Sequence, residues 1–349
     1  MMEMATYTAY IGTYTKNESQ GVYKLSFNAA TGKLSTPALV AELQNPTYVN
    51  PSKDGRVLYA VAKEGESGGV AAYRVESMGE LALLNKQIDG AGSPCHVSVN
   101  DARTQVVTAN YHTGIIALYP VNEDGSLLPV ASTVQHEGCG PNEARQEKAH
   151  AHYAGFTPDQ KYVVAVDLGT DELVTYAVAN DQLEPVARFR FSAGAGPRHI
   201  IFHPNGHDAY VLTELSNEVV VLSYNKSDGR FTEKQVIPTL PRDFYENSQG
   251  SAIHVSADGR FVYAANRGHD SIAVFSVDSG SSELTLVERV STEGHWPRDF
   301  ALDPTEGYVI VSNQETDNVL VYQRDRQSGR LTALAGEQNV SSPVCVKFV

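Results

Sequence analysis

Apolar and polar residues alternate with a period of two along most of this chain, as in Gly21-Val22-Tyr23-Lys24-Leu25-Ser26-Phe27 and Ser271-Ile272-Ala273-Val274-Phe275-Ser276-Val277. Such runs, rich in β-branched and aromatic residues, predict strands with one face buried. Helical periodicity of useful length is nowhere evident, which argues against a doubly wound α/β fold. Between the runs a short turn followed by a hydrophobic residue recurs: Thr31-Gly32-Lys33-Leu34, Met78-Gly79-Glu80-Leu81, Asp124-Gly125-Ser126-Leu127, Asn180-Asp181-Gln182-Leu183, Asp228-Gly229-Arg230-Phe231, Ser281-Ser282-Glu283-Leu284 and Ser328-Gly329-Arg330-Leu331. Their closing residues are spaced by 47, 46, 56, 48, 53 and 47, which is the period of a four-stranded propeller blade. Each of these turns joins the third and fourth strands of a blade. An earlier one, as in Asp54-Gly55-Arg56 and Asp258-Gly259-Arg260, joins the first and second.

The predicted fold is therefore all-β: a single seven-bladed β-propeller over residues 1–349, with four antiparallel strands per blade. The chain opens on a second-strand sequence, Tyr7 to Tyr14, and stops after a first-strand sequence, Ser342 to Phe348. Each end supplies what the other lacks, so the C-terminal strand is expected to pair with the N-terminal blade and close the ring without an unpaired edge.

Composition narrows the partners. A formal net charge of −14 gives no basic footprint for nucleic acid or for an anionic membrane surface. An anionic substrate must then be held by a few local arginines. Cys95, Cys139 and Cys345 are widely spaced, which indicates neither a disulfide framework nor a thiolate zinc site and suits a reducing cytoplasm. No run approaches the roughly 18 apolar residues of a membrane helix, and the N-terminus runs into strand sequence without a signal-like apolar region. A monomer or weak homo-oligomer is expected, with no cofactor and no metal.

Two units of the repeat are longer than the rest, with extra residues at about His136 to Lys148 and Leu240 to Ser251. Both insertions lie between a fourth strand and the next first strand, on the end face shared with the second-to-third connections. Polar residues break the apolar pattern on that same face. First strands begin at His96, His150 and His152, Arg198 with His199, and Arg298. Second strands end at Lys63, Asn110, Asp167, Glu214, Asn266 with Arg267, and Asn313. Because first strands line the axis, these side chains can converge on one mouth.

His150 and His152 are two apart on a strand, hence on one side, as metal ligands or a base would be. One bonded and one solvated imidazole is the simpler account. Arg198, in Gly196-Pro197-Arg198-His199, offers a planar fork to a carboxylate or phosphate, or equally forms a salt bridge with Glu214. Glu214 could also act as a general base beside a cation. Arg267 stands at the repeat position of Glu214 with the opposite charge. Asn110, Asn266 and Asn313 recur as turn caps. Cys139 has no local activator, and Trp296 precedes Pro297, so the Trp-Asp signature of WD40 blades is absent.

At these residues the sequence resembles the bacterial 6-phosphogluconolactonase family of seven-bladed propellers, itself similar to the fungal carboxy-muconate lactonizing enzymes. The matching segments include Tyr10-Ile11-Gly12-Thr13-Tyr14-Thr15, Gly140-Pro141-Asn142 through Arg145-Gln146 to His150-Ala151-His152, Asp167-Leu168-Gly169, Gly196-Pro197-Arg198-His199, Glu214-Leu215 and Ala265-Asn266-Arg267. One departure is Lys148-Ala149 before His150, where Pro is frequent in the family. The resemblance implies catalysis by His152, Glu214, Arg198 and Arg267, with substrate contacts from His150, His199, Arg145, Asn142, Asp167 and Arg298. It implies metal-independent hydrolysis of a sugar lactone, with 6-phosphogluconolactone as the expected substrate. The alternatives are a lactonizing lyase acting on a carboxylated substrate, or a non-catalytic binding propeller.

Overall fold

In a computed structural model the chain is described over residues 6–349, apart from the side chains of Asp89 and Ala91. Residues 1–5, the start of the 1–349 span expected to form one domain, lie outside the described residues. Seven antiparallel sheets surround an axis. Their innermost strands are Pro343–Phe348, Val49–Pro51, His96–Val99, Ala151–Phe156, Pro197–Phe202, Gln249–Val255 and Pro297–Leu302, which we number as blades 1 to 7. Blade 1 is the closure expected from the chain ends: Pro343–Phe348 pairs antiparallel with Thr6–Thr13. Its outer strand is split into Lys33–Leu34 and Ala38–Glu42, whereas the other sheets have four strands each.

The core lies between blades rather than under one sheet. Each hydrophobic cluster draws on two neighbours: Tyr73 and Tyr10 meet between blades 2 and 1, Phe275 and Tyr210 between 6 and 5, and Ile310 and Ile11 between 7 and 1. Packing of both sheet faces against neighbouring blades explains why second strands such as Tyr162–Asp167 are buried along their whole length. Burial of this kind stabilises by roughly 25 cal/mol per Å² of apolar surface.

The recurring turns also connect blades. Second-strand tyrosines donate to the turn carbonyl of the next blade: Tyr10 to Gly79, Tyr59 to Gly125 and Tyr263 to Gly329, each at 2.9 Å, and Tyr210 to Ser282 at 3.2 Å. Gly329 has φ +74°, and a Cβ there would lie 2.3 Å from Cδ1 of Phe261. Only glycine admits both that backbone and that approach.

The inner strands position the functional face. Register shifts near their entry insert an extra residue opposite the second strand, at Val344, His152, Arg198 and Arg298, and at the Ser251-Ala252 pair. Such β-bulges re-aim a side chain out of the ladder. Below them the channel is packed with polar aromatic groups. Ring centroids of Tyr48 and His96, and of His96 and Tyr153, are 4.2 Å apart. At the height of His96 and Tyr153, Asp299 binds the Lys347 ammonium at 3.2 Å and accepts from the Val346 amide at 3.0 Å, with His254 at 3.5 Å. This staple joins blades 6, 7 and 1 where the ring closes.

Burial pushes the His96 imidazole down to about 3 and those of His199 and His254 below their ordinary value of 6.5. Asp299 is buried too, but Lys347 outweighs that cost and holds its carboxyl well below the usual range. All these folded-state values are depressed, so the unfolded chain takes up protons that the native state refuses as pH falls. Stability should be level above pH 6.5 and fall progressively below it. Thermal midpoints measured from pH 8 to pH 5 check this; a midpoint that rises on acidification would contradict it.

Candidate active site

The strand pairing sorts the mouth into two levels. Aligned on the pairs Gly12↔Cys345, Ala109↔His96, Val166↔Tyr153, Leu212↔His199 and Ser312↔Asp299, the second strands bring Tyr14, Tyr111, Leu168, Glu214 and Gln314 to one height. Lys63 takes that position in blade 2 and Arg267 in blade 6. Beneath them lie the residues at the bulges, among them His152, Arg198 and Arg298, with Thr47 and Cys95 in the blades between.

Glu214 is the centre of charge. Its Oε2 accepts from Nε of Arg198 at 2.9 Å and from Nη2 of Arg267 at 2.6 Å, while Oε1 accepts from Nη2 of Arg145. The Glu214 and Arg198 side chains are 4% and 3% exposed, so these charges are satisfied by one another rather than by water. Burial opposes ionisation of Glu214, yet Arg267 and then Arg198 pull its carboxyl well below the usual range. Backbone carbonyls of the second insertion hold the same arginines: Gly250 accepts from Arg267 Nη2 at 2.9 Å, and Ser251 accepts from Arg198 Nη1. Arg198 Nη2 and Arg267 Nη1 have no protein acceptor among the described residues. The ion-pair and site readings of Arg198 and Arg267 thus describe the same cluster.

The first insertion delivers Arg145. Gln146, fully buried, ties the loop down by donating to the Leu168 carbonyl and to Asp171 Oδ1, both at 2.8 Å. Asp171 Oδ1 also accepts from the Gly196 amide at 2.7 Å. Gly196 has φ +59°, and a Cβ there would lie 2.4 Å from Cγ of Leu215, the residue after Glu214. The glycine lets the Arg198 strand pass close to the Glu214 strand.

His152 is 5% exposed, and its Nδ1 has no hydrogen-bond partner among the described residues. Its ring lies 5.2 Å from that of His199 and 5.8 Å from that of Tyr111. Burial, then the charge of Arg198, lowers its pKa well below 6.5. His199 sits at the level below, 3.3 Å from Arg198 Nη1. Arg298 lines the throat with its guanidinium 5.4 Å from the Tyr14 ring, and no carboxylate pairs with it among the described residues.

Three expected residues are placed elsewhere. His150 precedes the strand Ala151–Phe156, and the bulge at His152 breaks the two-residue alternation, so the two imidazoles do not share a side. His150 instead stacks on Tyr111 at 4.3 Å and bonds the Tyr111 carbonyl at 2.7 Å and Glu147 at 3.1 Å. Asp167 stands one residue short of the Glu214 level. Its Oδ1 accepts from the amides of His150, Gly169 and Thr170, and Oδ2 meets His136 Nδ1 at 2.8 Å. It is the aspartate version of the turn cap that Asn110 forms with the amides of His112 and Thr113. Asn142 is exposed in the first insertion, its Oδ1 accepting from the Ala144 amide.

The chain's pattern gave no warning of Trp296, whose indole lies 5.4 Å from the Arg267 guanidinium carbon, or of Tyr111 and Tyr14. For Tyr111 and Tyr14, the shared height with Glu214 was the available signal. Among the described residues, no three His, Cys, Asp or Glu side chains are grouped to hold a metal ion.

Comparisons with known proteins place the chain in a family. The chain is 55% identical over 347 residues to the 6-phosphogluconolactonase of Bacillus subtilis (strain 168), covering 99% of each. A crystal structure of a protein from Lactobacillus plantarum is 39% identical with a TM-score of 0.94, covering 99% of this chain and 100% of that one. The Pseudomonas aeruginosa periplasmic gluconolactonase is 34% identical with the same TM-score of 0.94 and 99% coverage of both chains. The family model described as Lactonase, 7-bladed beta-propeller matches residues 8–348, and with that match and these relatives the chain belongs to that lactonase family.

Proposed function

We infer that this protein hydrolyses a sugar δ-lactone, 6-phosphogluconolactone, at the arginine-lined mouth of its channel. The observation that carries the reading is the pairing of a buried, neutral, unpartnered imidazole with guanidinium donors already held in place by Glu214. Full-length likeness to the Bacillus subtilis 6-phosphogluconolactonase favours hydrolysis over a lyase or a non-catalytic module.

Glu214 and His152 are both candidates for the base, and their surroundings favour His152. Three guanidiniums occupy the Glu214 oxygens, which leaves that carboxylate little affinity for a proton; its work is to fix the arginines. His152 is held neutral and has a free nitrogen. It takes a proton from water as the oxygen adds to the lactone carbonyl, and returns it to the ring oxygen as the C–O bond breaks. The free N–H groups of Arg198 and Arg267 receive the oxyanion, a contribution of about 3 kcal/mol per donor.

No helix among the described residues is long and apolar enough to cross a membrane. Unpaired Cys95, Cys139 and Cys345 support a cytoplasmic setting, although the Pseudomonas relative is called periplasmic.

His152→Gln should lower kcat by roughly 10²–10⁴-fold while the thermal midpoint stays put. Glu214→Gln should lower both, by about 3–5 kcal/mol in stability, because it strands buried cations. Proton release from fresh lactone, corrected for spontaneous opening, together with calorimetry, reads both effects; a wild-type kcat in His152→Gln would remove it as base. Because the His152 pKa is depressed, its base form persists as pH falls. The acid limb of kcat should therefore lie below the ordinary imidazole value of 6.5, and a limb at or above that value would contradict the assignment.

A further inference from the structure

The throat lined by His152, Arg198 and Arg298 holds only about 30 Å³, room for little more than water. It widens on one side, across Tyr14, Thr47 and Cys95, into a groove of about 540 Å³ between blades 1, 2 and 3. A substrate whose carbonyl reaches the throat must therefore lay the rest of its body in this groove. Its far wall carries Lys63 and His112.

Lys63 has the height in blade 2 that Glu214 and Arg267 have in blades 5 and 6, so it faces them across a seven-membered ring. It is half-buried, and its ammonium has no hydrogen bond or ion pair among the described residues. Other lysines of the rim and channel are committed: Lys86 to Glu64 and Lys347 to Asp299. Burial, then the charges of His150, Lys148 and Lys63, lowers the pKa of His112, so at neutral pH it is an uncharged ring with one N–H to donate. Glu66, the acid on the groove, is exposed at its rim. A partly desolvated, unpaired ammonium suits a phosphate monoester, which binds lysine as a point charge. Glu214 cannot serve the phosphate, and the arginines that it holds are placed for the carbonyl.

We propose that this groove is the subsite for the phosphate ester of the substrate, with Lys63 as its counter-charge and His112 as a second donor. The proposal rests on the lactonase reading above and adds to it the discrimination between phosphorylated and plain sugar lactones. The test compares kcat/KM for 6-phosphogluconolactone and for glucono-δ-lactone in wild type, Lys63→Gln, Lys63→Arg and Arg298→Gln, with inorganic phosphate as competitive inhibitor. Lys63→Gln should lower the ratio of the two kcat/KM values at least tenfold, through KM, and weaken phosphate inhibition to a similar extent. Lys63→Arg should retain most of the ratio, and thermal midpoints report folding. An unchanged ratio in Lys63→Gln, or a ratio lost only in Arg298→Gln, overturns the subsite and leaves the lactonase reading intact. A wild-type protein that opens neither lactone overturns the functional reading, and the subsite with it.

Discussion

Radial closure is the constraint on which the other features depend. When Pro343–Phe348 pairs with Thr6–Thr13, the seven innermost strands are brought to one axis, and each blade gains two neighbours against which to bury its faces. An open array would leave the clusters between blades 7 and 1 in water and its first and last sheets with free faces. The Asp299, Lys347 and His254 staple lies beside this closure. It places buried charge at the point where the two chain ends must find each other, which is specific at the cost of desolvation.

Closure also creates the electrostatic problem that the site exploits. The chain as a whole is acidic, yet its axis gathers Arg145, Arg198 and Arg267 around one carboxylate, Glu214, with Arg298 nearby in the throat. A buried carboxylate with three guanidiniums is stable only as a unit, because each member would be an unpaired buried charge without the others. The unit leaves positive potential and uncommitted N–H groups at the throat, the place proposed for the lactone carbonyl. The acidic remainder screens it little, because Arg198 and Arg267 are buried.

Much of the fold was legible from local chemistry. The turns at Gly32, Gly79, Gly125, Gly229 and Gly329 need left-handed backbone, and glycine announces that in sequence. Alternation marked the strands, and counting turns counted blades. The mouth was legible only to one residue's accuracy. Glu214 and Arg267 were recognised at a common height, but Asp167 was set with them although it stands one position earlier, and a single position turns a side chain from the axis into the turn. His150 and His152 were assigned to one side because a strand was assumed to be regular there.

The sequence by itself thus determined the number of blades, the strand order, the closure and the face on which polar residues collect, since all of these follow from periodicity and turn preference along neighbouring residues. Tertiary structure alone decided that Glu214 binds Arg145 from 69 positions away, that β-bulges lift His152, Arg198 and Arg298 into the throat, and that Lys63, opposite them, has no partner among the described residues. Those outcomes depend on insertion paths and register shifts, which cost little in any local pattern and are settled only when seven sheets pack around one axis.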